Sequence, residues 1–400
     1  MAVQGSWRRA AHGALLLADD GSVSKTIFAE MTELAVRTGA INLGQGFPDY
    51  DGPQEVLEVA RDAIAQGLNQ YPPGIGMPVL RTAIAEHQKR FYGLEYDPDT
   101  EVLVTAGATE ALAAAILALV DEGDEVLTFE PFYDAYGAII ELANGVHRTV
   151  PLRGEDFQPD PDELRAAVSD RTRLILITDP HNPTGMVLSR EIRQLLVELA
   201  DQHDAVLVTD EVYEHLVYDG MQHVPLAALP GARERTVGIS SGGKTFNTTG
   251  WKIGWITAPA EVVRAVLAVK QFLTFVNGGP FQPAIAAGLG LPDAYFTGIA
   301  RDLERRRDVL VAGLRGAGLP TVSPQATYFA TVDVRGVQPD GDGLAFCREL
   351  PARAGVVAVP TVVFYTRGHA DLGRSLVRFA FCKRDEVLGE AVARLGRMAG

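Results

Sequence analysis

Four hundred residues exceed what one apolar core usually organises, so two lobes per chain are expected. Hydrophobic residues make up 47% and charged residues 22%, an ordinary globular balance, while a net charge of −15 with no basic domain argues against nucleic acid as a partner. Two cysteines, Cys347 and Cys382, sit in no C-x-x-C pair, so neither a disulfide framework nor a metal cage is expected.

Residues 1–21 open with Trp7-Arg8-Arg9 and then Ala14-Leu15-Leu16-Leu17-Ala18, a faint imitation of a secretion signal. The apolar part is short, runs into Asp19-Asp20 and shows no cleavage site, which reads as a mobile extension of a cytoplasmic protein. No apolar run approaches the roughly 20 residues of a membrane-spanning helix, so no membrane partner is expected. Residues 22–50 hold a short helix and the turn Leu43-Gly44-Gln45-Gly46-Phe47-Pro48.

From about residue 100 to 260, short apolar runs alternate with longer helical patterns. The runs are Glu101–Thr105, Glu125–Phe129, Thr172–Thr178, Ala205–Thr209, Thr236–Ser240 and Gly254–Thr257. Most are apolar at successive positions, the mark of strands covered on both faces. Glu110–Val120 and Arg190–His203 are long enough to be crossover helices. This alternation predicts an α/β fold with a large, doubly wound, mainly parallel sheet. Beyond residue 295 come an Arg-rich helical pattern, strand-like pieces at Tyr328–Val334 and Leu376–Phe381, and a final amphipathic helix, Asp385–Leu395. These predict a smaller α+β domain. The expected division is 51–294 for the large domain and 22–50 with 295–400 for a discontinuous small one.

In open α/β sheets, ligands bind outside the carboxyl ends of the strands. Gly107-Ala108-Thr109 follows the first run, directly before a helix whose N-terminus favours anions. On its own this reads as no more than a tight turn before a helix. Asp210 ends another run, with Tyr213 just beyond it, and Asp179-Pro180-His181-Asn182-Pro183-Thr184-Gly185 forms a rigid turn that presents Asn182. The most specific stretch is Ser240-Ser241-Gly242-Gly243-Lys244-Thr245-Phe246, followed by Gly250-Trp251-Lys252-Ile253-Gly254-Trp255. It holds two of only six lysines, against thirty arginines. Arginine cannot form an imine, whereas lysine can.

Gly238–Thr245 also satisfies G-x-x-x-x-G-K-[ST], the phosphate loop of nucleotide hydrolases. Against that reading, the apolar strand ending in Asp210-Glu211 precedes the loop instead of following it. The loop should also open a helix, and Phe246–Gly250 is poor helix material.

Taken in order, these motifs resemble the class I aminotransferases of the aspartate-aminotransferase fold, a type I fold of pyridoxal 5′-phosphate enzymes. The branch that holds kynurenine/glutamine and actinobacterial N-succinyldiaminopimelate aminotransferases is the most similar. The resemblance runs from Asn42-Leu43-Gly44-Gln45-Gly46-Phe47-Pro48-Asp49 to Val377-Arg378-Phe379-Ala380-Phe381. It implies transfer of an amino group from an L-amino acid to a 2-oxo acid such as 2-oxoglutarate. It implies that Lys244 holds the cofactor as a Schiff base, that Asp210 pairs with the pyridine nitrogen, and that Tyr133 stacks on the ring. Tyr213 and Asn182 would bond the 3′-oxygen, with Gly107, Ala108, Thr109, Ser241 and Lys252 on the phosphate. Tyr71 would reach the phosphate in a neighbouring subunit, which implies a homodimer with shared sites. Arg378 would clamp the substrate carboxylate beside Gly46 and Asn182, with Phe28 lining the side-chain pocket.

Two departures accompany it: Thr178 stands where the family usually has Asn, and Gln325-Ala326 replaces an acidic-Gly pair. A C–S β-lyase on the same scaffold is the main alternative. A cofactor-sensing domain of a transcription regulator would need an attached DNA-binding motif.

Overall fold

The structure is a computed structural model that describes residues 3–398. In chain order its strands are β1 (Ile41–Asn42), β2 (Val102–Ala106), β3 (Glu125–Glu130), β4 (Val146–Arg153), β5 (Gln158–Pro159), β6 (Thr172–Thr178), β7 (Val206–Asp210), β8 (Thr236–Ser241), β9 (Ile253–Thr257), β10 (Phe329–Asp333), β11 (Val356–Val357), β12 (Val359–Pro360) and β13 (Leu376–Ala380).

Strands β2 to β9 form one eight-stranded sheet in the order β2-β9-β8-β7-β6-β3-β4-β5. β8, β7, β6, β3 and β4 run parallel. β9 lies antiparallel to both of its neighbours, as β5 does to β4. The apolar runs behave as their composition requires, because side chains alternate between faces and both faces are covered. Along β6, Leu174 and Leu176 point into one core with Leu112 and Ile116 of the helix Gly107–Leu119. Ile175 and Ile177 point into the other with Ile192, Leu196 and Leu199 of the helix Arg190–Gln202. Each such side chain contributes roughly 1.5–3 kcal/mol by leaving water.

Helix ends follow local chemistry. The Ser189 hydroxyl accepts the backbone N–H of Ile192 at 3.2 Å and starts the second of these helices. The first begins at Gly107 instead of at Glu110, because the Glu110 carboxylate turns back to accept the Ala106 N–H at 2.5 Å and so satisfies a donor that the helix start would orphan. β4 and β5 were not among the expected strands. β4 alternates exposed and half-buried residues over Val146–Thr149, the pattern of a strand near the sheet edge, and its polar His147 and Arg148 disguise it.

The remaining strands build a three-stranded antiparallel sheet, β10-β13-β12, and the short parallel pair β1–β11. Around them pack the helices Ile27–Thr38, Asp293–Gly316, Gly343–Ala354 and Asp385–Gly396. Met31, Leu43, Leu310, Phe346, Phe379 and Leu388 share one core, which joins the early segment to the C-terminal part of the chain.

The stretch expected as a mobile extension carries a helix, Trp7–Gly13, packed on the helix Ala135–Leu142. Two glycines let the backbones meet: a Cβ on Gly13 would lie 2.1 Å from the Gly137 carbonyl oxygen. His12 Nδ1 sits 2.8 Å from the Glu141 carboxylate. Residues 1 and 2 lie outside the described residues. Among the described residues, no helix is long and apolar enough to cross a membrane.

Candidate active site

The sheet brings the chemistry to one edge. Ala106, Thr178, Asp210 and Ser241 end β2, β6, β7 and β8 there. β9 runs the opposite way, so its beginning, next to Lys252, lies at the same edge. A cavity of about 210 Å³ opens at this edge. Ten of the expected residues line it: Gly107, Ala108, Thr109, Tyr133, Asn182, Asp210, Tyr213, Ser241, Lys244 and Lys252.

Lys244 sits in a single helical turn, Gly242–Thr245, that follows β8. The stretch that matches a phosphate loop is therefore half strand and half a single helical turn, and the helix does not continue past Thr245. The Lys244 amine lies 5.8 Å from the centre of the Tyr213 ring and 5.7 Å from that of Tyr328. Burial holds it below the ordinary lysine range, opposed by Cys382 and Asp210, while Lys252 and Arg378 lower it further.

Lys252 adopts a left-handed backbone, φ 55°, where the chain turns into β9. Gly254 then presses on the turn after β2: a Cβ there would lie 2.5 Å from the Gly107 carbonyl carbon and 2.7 Å from Ala108 N. Gly107 itself has φ +74°, a region glycine reaches without strain. Its missing side chain leaves room for the Lys252 amine, which a Cβ would approach to 3.1 Å. Asn277 braces the same corner by donating to the carbonyls of Thr105 and Lys252 at 3.1 and 2.9 Å.

Asp210 is buried at the end of β7. Its Oδ2 accepts the Tyr136 hydroxyl at 2.8 Å, and that hydroxyl meets Thr178 Oγ1 at 2.5 Å. Oδ1 is buried with no partner. Burial pushes the carboxyl up to about 6, and the Tyr136 hydrogen bond is the largest force against it. Tyr136 was not among the expected site residues. It lies three residues beyond Tyr133 in an apolar helix, a position that reads as core; it does pack in that core, and with Thr178 it also lines the cavity.

Arg378 stands apart from the cavity lining. On β13, it is buried and donates to Asn182 Oδ1 at 2.9 Å and to the Gly44 carbonyl at 3.0 Å. Its Nε is buried without a partner. The guanidinium lies 4.0 Å from the centre of the Phe329 ring, 5.3 Å from Phe364 and 5.5 Å from Phe28. Burial lowers it to about 10. The Gly46 carbonyl accepts the Tyr328 hydroxyl at 2.5 Å, and Tyr328 meets Tyr213 edge-on with ring centres 5.3 Å apart. Asn182 thus belongs to both the cavity and the Arg378 corner. Tyr71 does not join them: it is 81% exposed and packs edge-on against Phe275, 5.6 Å away.

Comparison with known proteins fits this arrangement. The sequence profile described as aminotransferase class I and II matches residues 38–395. The probable N-succinyldiaminopimelate aminotransferase DapC of Mycobacterium tuberculosis is 51% identical over 94% of this chain and 96% of its own. The methionine aminotransferase of Escherichia coli is 40% identical over 93% and 96% of the two chains. A solved structure of the Mycobacterium tuberculosis N-succinyldiaminopimelate aminotransferase covers the whole of both chains with a TM-score of 0.92 and 48% identity.

Proposed function

The chain belongs to the class I and II aminotransferase family, whose members of this fold use pyridoxal 5′-phosphate, and we propose that it is a cytoplasmic homodimer that interconverts N-succinyldiaminopimelate and its 2-oxo acid, with 2-oxoglutarate and glutamate as the second pair. Transamination follows from the family. The particular donor rests on the identity to the Mycobacterium tuberculosis relative over almost the full length of both chains.

One observation carries the assignment of roles. Asp210, whose Oδ1 is buried without a partner, lines the same cavity as the half-buried Lys244, whose amine is held below the ordinary lysine range. A buried carboxylate oxygen without a donor costs about 1–3 kcal/mol or more, so it calls for a ligand N–H. The ring nitrogen of the cofactor is such a donor, and Lys244 is the amine that anchors the cofactor covalently. Gly107, Ala108, Thr109, Ser241 and Lys252 offer backbone donors, hydroxyls and a cation for its phosphate. Tyr133 would flank its ring, and Tyr213 and Asn182 would offer polar atoms to its 3′-oxygen. When bound, the cofactor serves as the electron sink that stabilises charge at the substrate α-carbon.

The chain's own groups do the rest. Arg378 holds the α-carboxylate as a planar, two-pronged donor, already aimed by Asn182 and the Gly44 carbonyl. Phe28 and Phe364 form an apolar wall beside it that favours the aliphatic stem of a long side chain. The Lys244 amine would move a proton to and from the substrate α-carbon. Burial suits it to this task, because a partly neutral amine is a competent base.

That same aromatic wall favours a second reading, in which methionine, glutamine or aromatic amino acids are the preferred donors. A panel with 2-oxoglutarate as acceptor separates the two. N-succinyldiaminopimelate is expected to give the highest kcat/KM. A value at least tenfold higher for methionine, glutamine or kynurenine would overturn the choice of donor, and pyruvate release from cysteine conjugates as the main reaction would favour the lyase.

Shared sites rest on Tyr71. It lies outside its own chain's cavity and against exposed Phe275, three residues beyond the exposed Phe272, an apolar surface suited to a second copy. If Tyr71 reaches the partner's phosphate, mixing inactive Tyr71→Ala and Lys244→Ala proteins restores activity, because a mixed dimer has one intact site. Mass spectrometry checks that subunits have exchanged. No recovery in an exchanged mixture would put Tyr71 out of the shared site.

A further inference from the structure

We infer that Thr178, Tyr136 and Asp210 form a one-way hydrogen-bond relay that keeps Asp210 ionised and aimed at the cofactor ring nitrogen, which makes Tyr136 a positioning residue. The inference rests on the pairing of Asp210 with that nitrogen proposed above.

Proton counting sets the direction. An ionised carboxylate only accepts, so the single proton of the Tyr136 phenol points to Asp210 Oδ2, 2.8 Å away. With its proton committed, the phenol oxygen accepts from the only other neighbour bonded to it, the Thr178 hydroxyl at 2.5 Å. All three residues are buried and line the cavity. The relay takes up Oδ2 and leaves Oδ1 without a partner, on a residue that lines the cavity.

Geometry fixes the relay as well as charge. Tyr136 is held in the helix Ala135–Leu142, with its ring edge-on to Tyr133 and the centres 5.7 Å apart. Thr178 ends β6, and Asp210 ends the adjacent strand β7, where the two residues are register partners. Two strand ends and one helix therefore fix three oxygens, with little freedom for Asp210 to swing. Burial drives the carboxyl toward its neutral form; the phenol is the strongest influence in the opposite direction, the Val212 backbone N–H and the Lys244 charge add to it, and Glu211 opposes them. A neutral Asp210 would offer the ring nitrogen no opposing charge. Thr178 supports the phenol in turn, because a phenol that accepts a hydrogen bond donates a stronger one. This gives the departure from the family's usual Asn a role: one hydroxyl proton, directed at Tyr136.

The test uses Tyr136→Phe, Thr178→Val, the double variant, Thr178→Ser and Asp210→Asn. In cofactor-free protein, carboxyl 13C NMR follows the titration of Asp210, its signal identified by its loss in Asp210→Asn. In the holoenzyme, 15N NMR of a ring-labelled cofactor reads protonation of the ring nitrogen. Tyr136→Phe is expected to move the Asp210 midpoint upward by about one pH unit, the size of one lost charge-assisted hydrogen bond. The 15N signal should move toward the unprotonated value. Thr178→Val should act in the same direction with a smaller effect, Thr178→Ser should match the parent, and the double variant should equal Tyr136→Phe. An unmoved Asp210 midpoint in Tyr136→Phe would overturn the inference, as would additive effects in the double variant, which would mean that Thr178 acts directly on the ligand. If Tyr136→Phe does not fold, Thr178→Val against Thr178→Ser decides the matter by the same readouts. A ring-nitrogen signal unchanged in Asp210→Asn would instead sink the underlying pairing, and the relay with it.

Discussion

Lys244→Ala is expected to lose transamination by about 10⁴-fold or more, the largest effect of any single change in the chain. Two functions disappear together. The covalent anchor goes, and so does the amine expected to move a proton at the substrate α-carbon, a role worth about 10²–10⁴-fold by itself. Lys252 lines the same cavity but cannot substitute, because its left-handed backbone fixes it at the start of β9, beside Gly107. Borohydride reduction followed by peptide mass spectrometry checks the assignment separately from rate. The parent should carry the cofactor on Lys244 and the variant should carry none. An adduct on Lys252 in the parent, or activity of the variant within a hundredfold of the parent, would remove Lys244 from its role.

Asp210→Asn should be almost as damaging, and for an electrostatic reason. An amide matches the carboxylate in shape but brings no charge to the ring nitrogen, so the electron sink weakens while the phosphate cradle remains. A loss of several orders of magnitude in kcat with the cofactor retained is the expected pattern. The melting temperature should hold or rise, since a neutral side chain avoids the cost of burying an anion that already titrates near 6. The sign follows from the shift: a carboxyl raised by burial destabilises the fold above its unfolded value, and the amide removes that penalty. Activity within about tenfold of the parent, roughly 1.4 kcal/mol of barrier, would mean that another group faces the ring nitrogen.

How far the sequence reaches can be judged element by element. Thr172–Thr178 was expected as a strand and is one, residue for residue, because an apolar run with a helix on each side has few other fates. The joining of residues 41–43 to the C-terminal body could be read only through family resemblance, since a contact such as Ile41 with Val356 leaves no local trace. Polar edge strands escaped notice because alternating exposure looks like loop composition. At the site, Lys244 and Lys252 stood out by their rarity and by their glycines. Asp210 and Asn182 gained meaning only when the motifs were taken together. Tyr136 could not be found, because a tyrosine in an apolar helix shows nothing of the carboxylate on another element that its hydroxyl will meet.

The docked N-terminal helix has a practical consequence. Gly13 touches Gly137, and Tyr136 is the residue before it. A truncation that removes residues 7–13 would therefore uncover one face of the helix that carries Tyr136. If Tyr136 positions Asp210 as inferred above, kinetic constants measured on such a shortened chain would describe a differently tuned enzyme, even though every residue that lines the cavity is unchanged.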